Sequence, residues 1–254
     1  MRRLLLSISA LLFGVMVNGQ IASSSEILST DKKIDSLLQV LETSKEDTGK
    51  INTIFELGLQ YYTKDRPEEL LRLGNQALKL SKQLHFEKGT GLAHLLISKH
   101  FHKKKNYDEA FKNTYLALNI LRSAGDKNGL AYCYLQVSRL NLNLGNSGIA
   151  SGYRDSALWL FHTLGKENEE ADLYIAKGLL SAYRGENGAA LEAHYAALNI
   201  YERLGDQSGI GSALGSIGFT YYGSKDDSLA EIFLLEANEI FKKEGNKFGY
   251  AENI

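Results

Sequence analysis

Alanine stands at positions 77, 117, 157, 197 and 237, spaced by 40 residues each time. A second ladder runs through Ala110, Ala150, Ala190 and Ala230, with Leu70 at the place before them. A third holds only small residues: Gly58, Ser98, Ser138, Gly178 and Gly218. Three ladders locked in phase describe one repeated unit, because a fixed period of 20 to 50 residues is the mark of a stacked array rather than of a single core.

The unit is helical. Proline occurs once, at Pro67, in a chain rich in Ala, Leu, Lys and Glu, so almost nothing interrupts helix. From Gly129, apolar residues fall at helical spacing at Leu130, Tyr134, Val137, Leu140 and Leu144. Gly145-Asn146-Ser147 then breaks the run, with Asn146 and Ser147 both suited to cap the next helix. A second helix follows from Ile149 to Leu164, and Gly165 suits the left-handed position that ends it. The same stop recurs at Gly125, Gly205 and Gly245. Two antiparallel helices make a hairpin that cannot bury its apolar face alone, so hairpins must stack. The small-residue ladder marks where a neighbouring backbone comes close. The 110-to-230 ladder lets the second helix approach the first, and the 77-to-237 ladder lets it approach the following hairpin.

These residues resemble the tetratricopeptide-repeat (TPR) family. The family's small residue, with an apolar neighbour before it and an aromatic three places later, is matched by Leu57-Gly58 with Tyr61, Ile97-Ser98 with Phe101 and Ile217-Gly218 with Tyr221. Its two alanines seven apart are matched by Ala110/Ala117, Ala150/Ala157, Ala190/Ala197 and Ala230/Ala237. Asn141 and Ser181 replace the aromatic, Lys177 replaces the apolar neighbour, and the usual closing proline is absent. The unit is longer than the family's common one and looks like the long variant with a Gly-Asp turn, found in many bacterial signalling and scaffold proteins. The resemblance implies an all-α, right-handed superhelical solenoid of antiparallel helix pairs. Five units are expected at 49–88, 89–128, 129–168, 169–208 and 209–248, with a partial sixth from 249 and a helix at about 31–44 in register with the later second helices. Stopping so early in a sixth unit, without a polar cap, the chain is expected to be a fragment of a longer protein.

The N-terminus carries an address. Arg2 and Arg3 precede a run from Leu4 to Val17 that is apolar apart from Ser7, Ser9 and Gly14, and Val17-Asn18-Gly19 follows. This is the pattern of a signal peptide over residues 1–19, followed by a flexible lead-in over 20–30. The run is shorter than the ~20 residues a membrane span needs, and no other segment is apolar enough for one. An exported chain, periplasmic or extracellular, is therefore expected.

Chemistry is harder to find. A net charge of -1 offers no electrostatic footprint for nucleic acid. Gly209 to Gly215 has a phosphate loop's glycines without its spacing or its preceding strand. His94, His100 and His102 share a helix but none is four residues from another, so no metal pair forms. Cys133 reads as a small packed residue, Glu167, Glu169 and Glu170 as a solvated turn, and Lys103-Lys104-Lys105 as a short basic tip. No cofactor is implied. The family's inner groove, formed by first helices, would carry Tyr62, Lys99, His102, Tyr132, Arg139, Asn143, Tyr183, Phe219 and Tyr222. Such a set suits a protein or peptide with apolar anchors and a carboxylate, although the family's repeated Lys and Asn carboxylate clamp is missing. The chain reads as a non-catalytic binding scaffold, or as the sensory region of a longer signalling protein with a membrane-anchored output domain. The rival is an enzyme with a pocket in the superhelix groove, but no acid, base and nucleophile stand across adjacent units. Replacing Ala157 with leucine should overpack its joint and cost roughly 1–3 kcal/mol; an unchanged thermal melt would refute that contact.

Overall fold

The computed structural model describes residues 24–243. Among them every regular element is an α-helix: α1 Ser24–Thr43, α2 Thr48–Thr63, α3 Pro67–Gln83, α4 Glu87–Lys103, α5 Tyr107–Ser123, α6 Lys127–Asn143, α7 Ser147–Thr163, α8 Glu167–Tyr183, α9 Asn187–Leu204, α10 Gln207–Gly223 and α11 Asp227–Lys243. The expected signal peptide and the partial sixth unit lie outside the described residues. α1 begins at Ser24, inside the segment expected to be a lead-in, and its end at Thr43 falls forty residues before the end of α3 at Gln83.

The backbone repeats at half the period of the alanines. Left-handed backbone occurs at Asp65, His85, Lys105, Gly125, Gly145, Gly165, Gly185, Gly205 and Lys225, one residue in every twenty. Most helices are 17 residues long and each left-handed residue closes the one before it. The N–H of the next residue returns to a carbonyl five places back, as from Asn106 to Phe101 (2.9 Å) and from Asp126 to Leu121 (2.9 Å). This is the Schellman closure, which satisfies carbonyls that the helix leaves free. Gly125 (φ 67°) takes the conformation without a Cβ penalty, whereas Lys105 (φ 57°) carries a side chain through it. Caps open some of the following helices: Asn106 accepts from Glu109 N–H, Asp206 from Gly209 N–H and Asp226 from Leu229 N–H. Asn146 was expected to cap as well, but its amide instead donates to Asn141 Oδ1 at 3.3 Å.

The helices form two compact units, one from Thr30 to Leu164 and one containing the helices from Gly165 onward. In the N-terminal unit α3 packs on α4, α4 on α5, α5 on α6 and α6 on α7, while the first helices α2, α4 and α6 also touch in sequence. In the C-terminal unit α8 packs on α9, α9 on α10 and α10 on α11, around Ala171, Ala197, Ile200, Tyr201 and Ala213. Tyr201 Oη donates to Asp172 at 2.7 Å, and Arg203 pairs with Glu167 at 2.7 Å, tying α9 back to α8.

All three ladders are buried, but the small-residue one works differently from the expectation. Its glycines receive side chains more than backbone. A Cβ on Gly58 would strike Leu96, one on Gly178 would strike the ring of His194, and one on Gly218 would strike Leu234. Each missing side chain is a hole that a neighbour's knob fills, the arrangement that close-packed interiors favour. The serines at the same places do bring backbone close. Ser98 Oγ donates to the carbonyl of Ala110 at 2.9 Å, and Ser138 Oγ to that of Ala150 at 2.6 Å.

A cationic cluster where three first helices meet

Stacking in register sets residues forty apart beside one another. Lys99 and Arg139 occupy the same place in consecutive units, and so do Tyr62 and His102. Lys99, His102 and Lys103 share one face of α4, being three and four residues apart. The result is a cluster around the Tyr62 ring at the end of α2. Lys99 Nζ lies 4.2 Å from the ring centroid, Lys103 Nζ 4.7 Å and Arg139 Cζ 5.3 Å. Tyr62 Oη and His102 Nδ1 are hydrogen bonded at 2.9 Å. On the other side of the imidazole, Asn143 Nδ2 stands 2.6 Å from Nε2. Gln136 Nε2 reaches both His102 Nδ1 (3.4 Å) and Ser98 Oγ (3.3 Å).

The cluster is deeply enclosed and unbalanced in charge. Lys99 is only 1% exposed, and burial, then Arg139, moves its ammonium well below the ordinary lysine range, with Lys103 adding to the shift. Burial, then the charges of Arg139, Lys99 and Lys103, pushes His102 down to about 3, so its imidazole is neutral. The Tyr62 phenol is raised by burial, against the lowering pull of Arg139. Among the described residues Lys99 and Arg139 form no ion pair, and the nearby carboxylate, Asp65, pairs with Lys103 at 3.1 Å while itself 76% exposed. Cys133 is buried, its thiol pushed up to about 12 by desolvation, which makes it inert as a nucleophile at neutral pH.

The expected groove residues therefore fall into distinct settings. Tyr62, Lys99, His102, Arg139 and Asn143 come together in this cluster. Tyr132 is buried beside it as an aromatic joint, edge-on to Phe55 (5.5 Å) and to Phe161 (5.2 Å). Tyr183 lies in the C-terminal unit at the end of α8 and is 73% exposed; Phe219 and Tyr222, on α10 of the same unit, are half-buried. The sequence marks Lys103 only as part of a short basic tip and gives no sign of Gln136. The spacing of Lys103, four residues after Lys99, was the available signal. Lys104 of the same tip pairs with Glu68 at 2.5 Å. A shallow concavity of about 280 Å³ on α7, lined by Gly148, Ile149, Gly152, Tyr153 and Ser156, has no charged group.

Comparison of the whole chain with solved structures gives the fold. BtubC (BKLC) from P. vanneervenii aligns over 92% of this chain and 96% of its own, with 20% identity and a TM-score of 0.64. A Rap protein complexed with competence and sporulation factor aligns over 88% and 68%, with 16% identity and a TM-score of 0.63. A signal-transduction ATPase from Pyrococcus horikoshii with a tetratricopeptide repeat sensor aligns over 87% of this chain and 34% of its own, with 20% identity and a TM-score of 0.61. The fold is a TPR-like helical solenoid. No protein-family model matches the sequence, and no curated protein does. Among the described residues no helix is long and apolar enough to cross a membrane.

A histidine held neutral in the folded chain but free to protonate when unfolded makes stability depend on pH. The folded value of His102 is about 3 against about 6.5 unfolded. Its contribution is whole above the unfolded value and is lost as pH falls from about 6.5 towards 3, with a slope approaching 1.4 kcal/mol per pH unit. Urea melts between pH 7 and 4 should show this loss, and His102→Gln should flatten the slope. Equal slopes in the two proteins would show that His102 is not held neutral.

Proposed function

We propose that the chain is a non-catalytic scaffold that binds a protein or peptide along the first helices α2, α4 and α6. The observation that carries this is their convergence on one partly open polar cluster. Arg139 is half-buried there and Asn143 exposed, and the cations gather over the aromatic ring of Tyr62. Cations and aromatics fixed on rigid helices are what peptide recognition needs, because little side-chain freedom remains to be lost on binding. The likeness to a Rap protein solved with competence and sporulation factor, and to an ATPase with a TPR sensor, supports the same reading. The basic start and apolar run at residues 4–17 support export, with the described helices forming an extracytoplasmic sensory region of a longer signalling protein.

Panning a phage-displayed random-peptide library on the full chain should enrich sequences that place an acidic group beside an apolar residue. Arg139→Gln should weaken them at least tenfold, about 1.4 kcal/mol. Failure to enrich any peptide, or binding indifferent to Arg139→Gln, would sink the proposal.

A further inference from the structure

Among the described residues two cations of the cluster, Lys99 and Arg139, have no carboxylate partner. Three basic groups surround one phenol ring, and the carboxylate among them sits at the rim on Lys103. A buried ammonium is costly unless paired and hydrogen bonded, yet Lys99, the most enclosed of the three, faces an aromatic ring and other cations. Lys99 lies on the face of α4 that meets the Tyr62 ring, and Arg139 on that of α6. Asn143 and Arg139 leave the α6 side open to solvent.

We propose that the N-terminal unit holds a site beside Tyr62 for a single oxyanion, a carboxylate or a phosphate, gripped by Lys99, Lys103 and Arg139 with the Asn143 amide at its edge. The proposal deepens the peptide-binding reading and rests on it for the source of the anion, which would be an acidic side chain, a terminal carboxylate or a phosphorylated residue. Charge-assisted hydrogen bonds from a guanidinium and two ammonium groups are the strong kind, and the low dielectric around Lys99 strengthens them further. The groups around Lys99 are Tyr62 from α2, Lys103 on its own helix, and Cys133 and Arg139 from α6, while Tyr107 from α5 and Gln136 and Asn143 from α6 stand against the neighbouring His102. None of them carries a negative charge at neutral pH, so without an anion the ammonium is disfavoured, and an arriving anion favours it.

Calorimetric titration of the full chain with inorganic phosphate and with acetate, at ionic strength fixed with chloride, tests the site. Either anion should bind saturably, and Lys99→Met and Arg139→Gln should each weaken it at least tenfold. Phosphate alone points to a phosphorylated ligand, acetate alone to a carboxylate. No saturable binding of either anion, or equal binding in the variants, overturns the site. Should Lys99→Met fail to fold, Arg139→Gln, at a half-buried position, decides. Anion binding without any selected peptide leaves the site and removes the peptide reading; selected peptides without anion binding do the reverse.

Discussion

One left-handed residue in every twenty sets the geometry of this chain. At eight of its nine places the next residue's N–H returns to the carbonyl five places back, and within each compact unit most helices are 17 residues long and lead into a three-residue turn before the next. Five of the nine places use glycine, and Asp65, His85, Lys105 and Lys225 accept a side chain in left-handed backbone. That costs roughly 1–2 kcal/mol each for L-residues, which the packing of the flanking helices offsets. Because every turn is alike, residues forty apart come to equivalent places, and a small residue recurs wherever the neighbour needs room.

That regularity has an electrostatic consequence in the N-terminal unit. A stacked repeat puts equivalent side chains next to each other, so two cations at one repeat position become neighbours. Lys99 and Arg139 do this across Tyr62, and Lys103 joins them from one turn further along α4. A single-core domain would scatter such residues, whereas a solenoid concentrates them. The equivalent places in the other units hold Leu59, Leu179 and Phe219, so at this repeat position charge falls in two consecutive units. Burial, with the charges of Arg139, Lys99 and Lys103 adding to it, keeps His102 neutral, whereas at Tyr62 Arg139 pulls against the burial that raises the phenol.

The C-terminal unit uses the same turns with a different filling. Its small-residue places are both glycine, at 178 and 218, and receive the His194 ring and Leu234. His194 is wholly buried with neither ring nitrogen hydrogen bonded, and desolvation pushes it down to about 4. In the N-terminal unit Ser98 and Ser138 occupy the corresponding places and bond to backbone instead. One repeat position therefore supports both knob-in-hole packing and hydrogen bonding, depending on whether the residue has a hydroxyl.

The helical class, the hairpin and the forty-residue unit were legible because they rest on local periodicity and on residue size, which a sequence displays directly. The left-handed stops at Gly125, Gly165 and Gly205 were legible too, since glycine signals them; Asp65, His85, Lys105 and Lys225 gave no such signal. The members of the candidate site were named almost completely, yet as separate lining residues of a groove. Only the tertiary structure decided that Tyr62, Lys99, His102 and Arg139 touch, that Tyr132 is an interior joint, and that Lys103 belongs with them. The reason is physical: burial and net local charge depend on how far one helix advances past the next, a distance set by packing between units and written in no single unit.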